Sequence, residues 1–147
     1  MSNTCQKILV PTDFSEHADR ALDYAIDWGR QLNAHLTLLH VIQSLPEAGI
    51  DMGSALSAAH LETLEAELVQ HMQGYLQRVE DAGVEGDIVM AHGVPFDKTL
   101  EIVKARQIDL IIMGSHGRTG FSHLLLGSMA EKLVRLAPCP VLVVRQP

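Results

Sequence analysis

The chain has 147 residues, 47% of them hydrophobic and 20% charged, with eighteen acidic against eleven basic residues and a net charge of −7. That length suits one domain with a real core, and that composition excludes a disordered chain. The apolar runs are too short to cross a bilayer, the opening MSNTCQK has no signal-peptide core, and the negative field disfavours phosphate-rich polymers; a cytoplasmic protein without membrane or nucleic-acid partners is expected.

In chain order, Lys7 to Val10 is a short apolar run ending in Pro11, Thr12 and Asp13, which predicts a buried strand and a turn. A helix follows, with Ser15 or Asp13 as its cap and Ala18, Ala21, Leu22, Ala25, Ile26, Gly29 and Leu32 as its buried stripe. Leu36, Leu38, Leu39 and Val41 predict a second strand. From Gln43 to about Ala55 periodicity is lost among Pro46, Gly49 and Gly53; the segment reads as a mobile connection and a candidate lid or partner contact.

A long amphipathic helix then carries Leu61, Leu64, Leu68, Met72, Leu76 and Val79 and ends near Gly83. Asp87 to Ala91 predicts a third strand, and Gly93, Val94 and Pro95 turn into a shorter helix bearing Leu100 and Val103. Asp109 to Met113 predicts a fourth strand, Met129, Ala130, Leu133, Val134 and Ala137 a fourth helix, and Pro140 to Val144 a fifth strand at the chain end. Two cysteines, Cys5 in an expected mobile tail and Cys139 between two prolines, form no CxxC and indicate neither a redox motif nor a zinc site.

Five strands alternating with four helices predict a doubly wound α/β sheet with helices on both faces. Ligands of such sheets bind beyond the carboxyl ends of the strands, where the strand order reverses. If the order is 3-2-1-4-5, Pro11, Thr12 and Asp13 meet the stretch that follows the fourth strand.

That stretch, Met113 to Met129, reads MGSHGRTGFSHLLLGSM. Strand, glycine loop and helix start commonly make an anion site, because unpaired N–H groups and the positive helix end converge there. Phosphate is the first ligand to consider. Neither G-x-x-x-x-G-K-[ST] nor G-x-G-x-x-G occurs, which disfavours a kinase or P-loop hydrolase. The spacing present is Gly114, two residues, Gly117, nine residues, Gly127 and Ser128.

Plainer readings stand beside this one: glycines that serve only a turn, Asp13 as a helix cap, Arg118 as a solvated charge, His116 as a loop polar group, His40 and His92 as structural histidines, Met72 and Met113 as core. Residues 117–120 also spell a GxxG, a weak sign of single-stranded RNA binding, opposed by the net charge and the βαβ pattern.

The G-x2-G-x9-G-[ST] spacing after the fourth strand, the Pro-x-Asp end of the first strand and the final strand after Pro-Cys-Pro resemble the nucleotide-binding branch of the universal stress proteins. The resemblance spans residues 1–147 as a single domain. It implies a flavodoxin-like three-layer sandwich with a parallel sheet of order 3-2-1-4-5, binding of ATP or another adenine nucleotide such as ADP or AMP, a sensor or regulatory role in stress response, and a homodimer through the last strand, 140–144. Carried over by motif, Pro11, Thr12 and Asp13 would line the adenosine, with Asp13 as a ribose or magnesium contact. Val41 would meet adenine through its backbone. Met113, Gly114, His116, Gly117, Arg118, Gly127, Ser128 and Met129 would surround ribose and phosphates. The glycine loop carries no lysine, and the first turn lacks the S-G-G-x-D-S of related pyrophosphatases. A binding protein, with at most slow magnesium-dependent ATP hydrolysis, is therefore expected over an efficient ATPase.

Overall fold

A computed structural model of the chain describes residues 4–43, 54–117 and 125–146, with residues 54–57 described by backbone only. The elements alternate as β1 (Lys7–Pro11), α1 (Glu16–Leu32), β2 (His35–Ile42), α2 (Ser54–Asp81), β3 (Gly86–His92), α3 (Pro95–Arg106), β4 (Leu110–Gly114), α4 (Ser128–Leu136) and β5 (Val141–Val144). The sheet has the order β3-β2-β1-β4-β5, and every neighbouring pair is parallel. Ile8 of β1 sits opposite Leu36 on one side and Leu110 on the other, so β1 is the centre from which the chain winds outwards in both directions.

Parallel strands are covered on both faces, and the side chains here divide accordingly. Ile8, Val10, Leu36, Leu38 and Ile112 pack beneath α1 and α2 with Ala21, Leu22, Ala25, Met72 and Val79. Leu9, Leu39, Ile111 and Met113 pack on the other face with Val103 of α3 and Ala130 and Leu133 of α4. Cys5 is half-buried against the first of these clusters rather than lying in a loose tail, and burial, helped by Asp109, pushes its thiol pKa up. Cys139 packs on the opposite face, and burial raises its thiol in the same way.

Three expected core positions lie open. Leu32, at the last turn of α1, is 43% exposed, while Leu61 and Leu64 are 56% and 41% exposed. The α2 residues are exposed for a geometric reason. A helix of 28 residues spans about 42 Å, whereas the eight residues of β2 span only about 26 Å, so its first turns overhang the sheet. Val134 of α4 is likewise half-exposed. The predicted 43–55 connection lies outside the described residues except at its two ends.

The amino ends of the strands are tied by carboxylates. Asp109 Oδ2 accepts from the backbone N–H of Gln6 and of Lys7, both at 2.9 Å, joining β1 to β4. Asp87 accepts from Arg106 Nη1 at 2.6 Å and from Thr37 Oγ1 at 3.2 Å, and its Oδ1 lies 2.9 Å from His35 Nε2. Partial burial alone would push the Asp87 carboxyl up, but the bonds from Arg106, His35 and Thr37 outweigh it and hold the group below the usual carboxylate range. A depressed folded-state pKa stabilises the fold above the ordinary aspartate value of about 3.9 and loses that contribution as pH falls through the depressed one. Urea midpoints should therefore fall more steeply below about pH 4 in the native chain than in Asp87→Asn, which should already be weaker at neutral pH; parallel acid profiles for the two would remove Asp87 from the account.

Candidate functional site

At the carboxyl ends of the strands the chain leaves a crevice of about 840 Å³, within the range of small-molecule and cofactor sites. Its floor is the point where strand order reverses, between β1 and β4. Pro11, Thr12, Asp13, Val41, Met113, Gly114, His116, Gly117, Gly127, Ser128 and Met129 all line it. Two stretches about a hundred residues apart in sequence are thus brought together, as the order predicted. Arg118 lies outside the described residues, as do Thr119 and Gly120 of the GxxG.

The β1 side is a tight turn. Thr12 N–H donates to Leu39 O at 2.8 Å, extending the β1–β2 ladder by one bond, and Thr12 Oγ1 accepts from Phe14 N–H at 3.0 Å. Asp13 Oδ1 accepts from Ser15 N–H at 3.0 Å, and Ser15 in turn caps α1 by accepting from Ala18 N–H at 3.2 Å. Both expected cap candidates are used, Ser15 on the helix and Asp13 on the turn before it. The other carboxylate oxygen of Asp13 is turned to the glycine loop, where it lies 2.6 Å from the point a Cβ on Gly117 would occupy. Gly117 thus leaves the space that Asp13 fills.

Phe14 occupies the left-handed region at φ 64°, which for a bulky residue is strained. Its ring is held in an aromatic cluster, 4.6 Å from His40, 4.9 Å from His71 and 5.5 Å from Tyr75 between centroids. His40 Nδ1 lies 2.8 Å from Thr12 O; a carbonyl can only accept, so this nitrogen carries the proton. Tyr75 donates to Asp19, and burial together with that carboxylate pushes its phenol pKa up, which keeps it protonated. Phe14 and His40 both line the crevice. His40 is structural, as its sequence context suggests, whereas the only sign of Phe14 in the sequence is a phenylalanine directly after Thr-Asp in a strand-to-helix turn.

The β4 side depends on glycine at two points of contact. A Cβ on Gly114 would lie 2.8 Å from the backbone C and O and the Cβ of His17, so the first turn of α1 rests directly on the end of β4. A Cβ on Gly127 would meet Ser115 O at 3.0 Å and His116 Cα at 3.2 Å, where Gly127 N–H donates to Ser115 O at 2.7 Å. That bond ties the far end of the loop to its start. Gly127 then serves as N-cap of α4 with no side chain to bond the first turn. The first helical bond runs from Glu131 N–H to Gly127 O at 2.9 Å, so the amides of Ser128, Met129 and Ala130 precede it, at the crevice wall. The contrast with α1 is chemical: Ser15 caps one helix, and α4 is left with N–H groups and a positive dipole end for an anion.

Among the described residues no three His, Cys, Asp or Glu side chains converge as a metal site, and among the described lining residues there is no lysine or arginine.

A model of the universal stress protein family matches residues 4–145. Among curated proteins, the universal stress protein MJ0531 of Methanocaldococcus jannaschii is 32% identical over 99% of this chain and 85% of its own length. The solved structure of MJ0577 from the same organism superposes with a TM-score of 0.84 at 33% identity, covering 98% of each chain. The universal stress protein of Lactobacillus plantarum superposes at 0.85 with 27% identity, over 96% of this chain and 98% of its own. More distant structures of the same fold are a universal stress protein in complex with cAMP, at 22% identity and a TM-score of 0.73 over 97% of this chain and 98% of its own, and one from Archaeoglobus fulgidus in complex with dAMP, at 20% and 0.64 over 95% and 98%.

The two loop glycines should fail differently when substituted. Gly114→Ala, pressed against His17 backbone that cannot yield cheaply, should cost about 1–3 kcal/mol of stability by urea denaturation. Gly117→Ala meets only a carboxylate tip at an exposed position and should stay within about 0.5 kcal/mol of the native chain. Equal losses at both positions would contradict the assigned contacts.

Proposed function

The chain belongs to the universal stress protein family, and on that premise we propose that the crevice binds an adenine nucleotide, ATP, ADP or AMP, as the ligand of a regulatory or sensor module in stress response. The observation that carries this reading is the uncapped start of α4 facing Asp13 across a glycine loop, at the switch point of the sheet. The amides of Ser128 and Met129, with the loop glycines, supply donors for phosphate oxygens. Asp13, held by Ser15 N–H, supplies an acceptor for ribose hydroxyls. Val41, at the end of β2, and Pro11 border the apolar part of the crevice, which suits a base. Two distant proteins of this fold hold cAMP and dAMP, which supports an adenosine-sized ligand.

Magnesium would arrive with the phosphates. It binds through one or two carboxylates plus phosphate oxygens and keeps several waters, and Asp13 is the carboxylate placed to share in that shell. The glycine loop carries no lysine to neutralise a leaving phosphate, so we read the site as one for binding and at most slow turnover.

We also assign a homodimer to the free edge of β5. On α1, Asp19 and Asp23 bond Tyr75 and Arg78 of α2. Tyr24, Trp28 and Leu32 recur every fourth residue on the opposite flank, and are 45%, 39% and 43% exposed. That flank lies on the β5 side of the sheet, so antiparallel pairing of two β5 edges about a twofold axis would bring the stripe under cover.

Calorimetric titration should give saturable binding of at least one of ATP, ADP and AMP, weakened about ten- to a hundredfold in Asp13→Ala, the usual cost of a lost bond to a charged acceptor. Binding that Asp13→Ala leaves unchanged would move the ribose elsewhere. Light scattering at micromolar concentration should show a dimer that Trp28→Glu shifts towards monomer; a monomeric native chain would remove the β5 interface.

A further inference from the structure

A second cavity, of about 70 Å³, lies behind the glycine loop on the side of α1 and β5, bounded by His17, Ser115, His116, Arg145 and Gln146 and closed by leucine side chains. Its polar groups are unbalanced. His17 Nδ1 and His116 Nε2 are buried without a hydrogen-bond partner among the described residues, and so, one turn further along α1 and outside the cavity's lining, is Arg20 Nε. Every such unpartnered side-chain atom is a nitrogen. The Nε–H of an arginine can only donate, and either nitrogen of an imidazole can donate in one of its tautomers, so one acceptor chemistry could satisfy all three atoms.

The side chains are also held in place. The rings of His17 and His116 stand 5.3 Å apart between centroids at 55° to each other. Ser115 Oγ lies 3.0 Å from His116 Nδ1, which orients that ring and leaves Nε2 as the nitrogen without a partner. Ser115 N–H donates to Val144 O at 3.1 Å, and this bond brings Arg145, the next residue, to the cavity rim. The close approach of Gly114 to His17 fixes the third wall.

Two occupants compete, a cation and an anion. Two imidazoles are too few for a closed metal site, no third ligand of the usual kinds converges among the described residues, and the guanidinium of Arg145 repels a cation. No carboxylate lines the cavity among the described residues, and Asp13 is turned to Gly117 on the crevice side of the loop. The volume is about that of two liquid waters, enough for one small tetrahedral ion.

We propose that this cavity is a second anion site, taking one small oxyanion of phosphate size between His17, His116 and Arg145. The site stands apart from the nucleotide reading, since it uses a separate cavity and the opposite face of the loop. It shares only His116 and the leucine wall with the crevice.

The test is imidazole nitrogen NMR on the full chain, titrated with inorganic phosphate and, separately, with chloride at matched ionic strength. Saturable shifts at both His17 and His116 under phosphate alone are expected, with affinity about tenfold weaker in Arg145→Ala. Arg145 is exposed and beyond the end of β5, so that variant leaves the sheet intact, and a His17→Gln variant should weaken phosphate binding as well. Equal, unsaturating shifts with both salts would overturn the proposal. So would a shift at His116 alone that survives Arg145→Ala, because that pattern places the anion in the crevice.

Discussion

The structure turns on how close α1 comes to β4. With no side chain on Gly114, the backbone of His17 rests where a Cβ would stand 2.8 Å away. This contact seats the first turn of α1 on the end of β4, beside the gap that opens where the β1–β4 pairing stops after Leu9 and Ile111. Asp13 and the glycine loop face each other across that gap, and the same contact walls the small cavity behind the loop. A side chain at Gly114 would act on both at once.

The two ends of the sheet are built to opposite purposes. At the amino ends, Asp109 and Asp87 satisfy backbone and side-chain donors from neighbouring segments and leave few groups open. At the carboxyl ends, the turn after β1 is closed by Thr12, Asp13 and Ser15, while the helix after β4 begins with a glycine that bonds backwards to Ser115 and leaves the next amides uncapped. Hydrogen-bonded carboxylates tie the amino ends, and a helix start without a side-chain cap stands at the mouth. The strained φ of Phe14 belongs to this end as well, its cost offset by a ring cluster that anchors the turn to β2 and α2.

Much of this was legible in the sequence because it depends on local rules. Apolar runs of four to eight residues gave the strands, three- and four-residue steps gave the helices, and the glycine spacing gave the loop. The strand order came from resemblance, and the sheet agrees with it. What escaped was set by tertiary geometry. Leu61 and Leu64 keep perfect helical periodicity yet stand open, because periodicity does not reveal that α2 outruns the sheet. Leu32 continues the α1 stripe by count but shares its exposed flank with Tyr24 and Trp28. The bond between Arg106 and Asp87 joins residues whose separation in sequence carries no pattern, and the pairing of His17 with His116 forms beside the close approach of Gly114 to His17.

The central claim is that the uncapped start of α4 and the turn after β1 are two halves of one nucleotide site. Backbone amide NMR of the chain, with and without saturating ATP, tests it most directly. The account predicts that the largest shifts fall together on Gly117, Gly127, Ser128 and Met129 on one side and on Asp13 and Val41 on the other. Shifts confined to either side alone, or centred on the β5 edge or the amino ends of the strands, would contradict it.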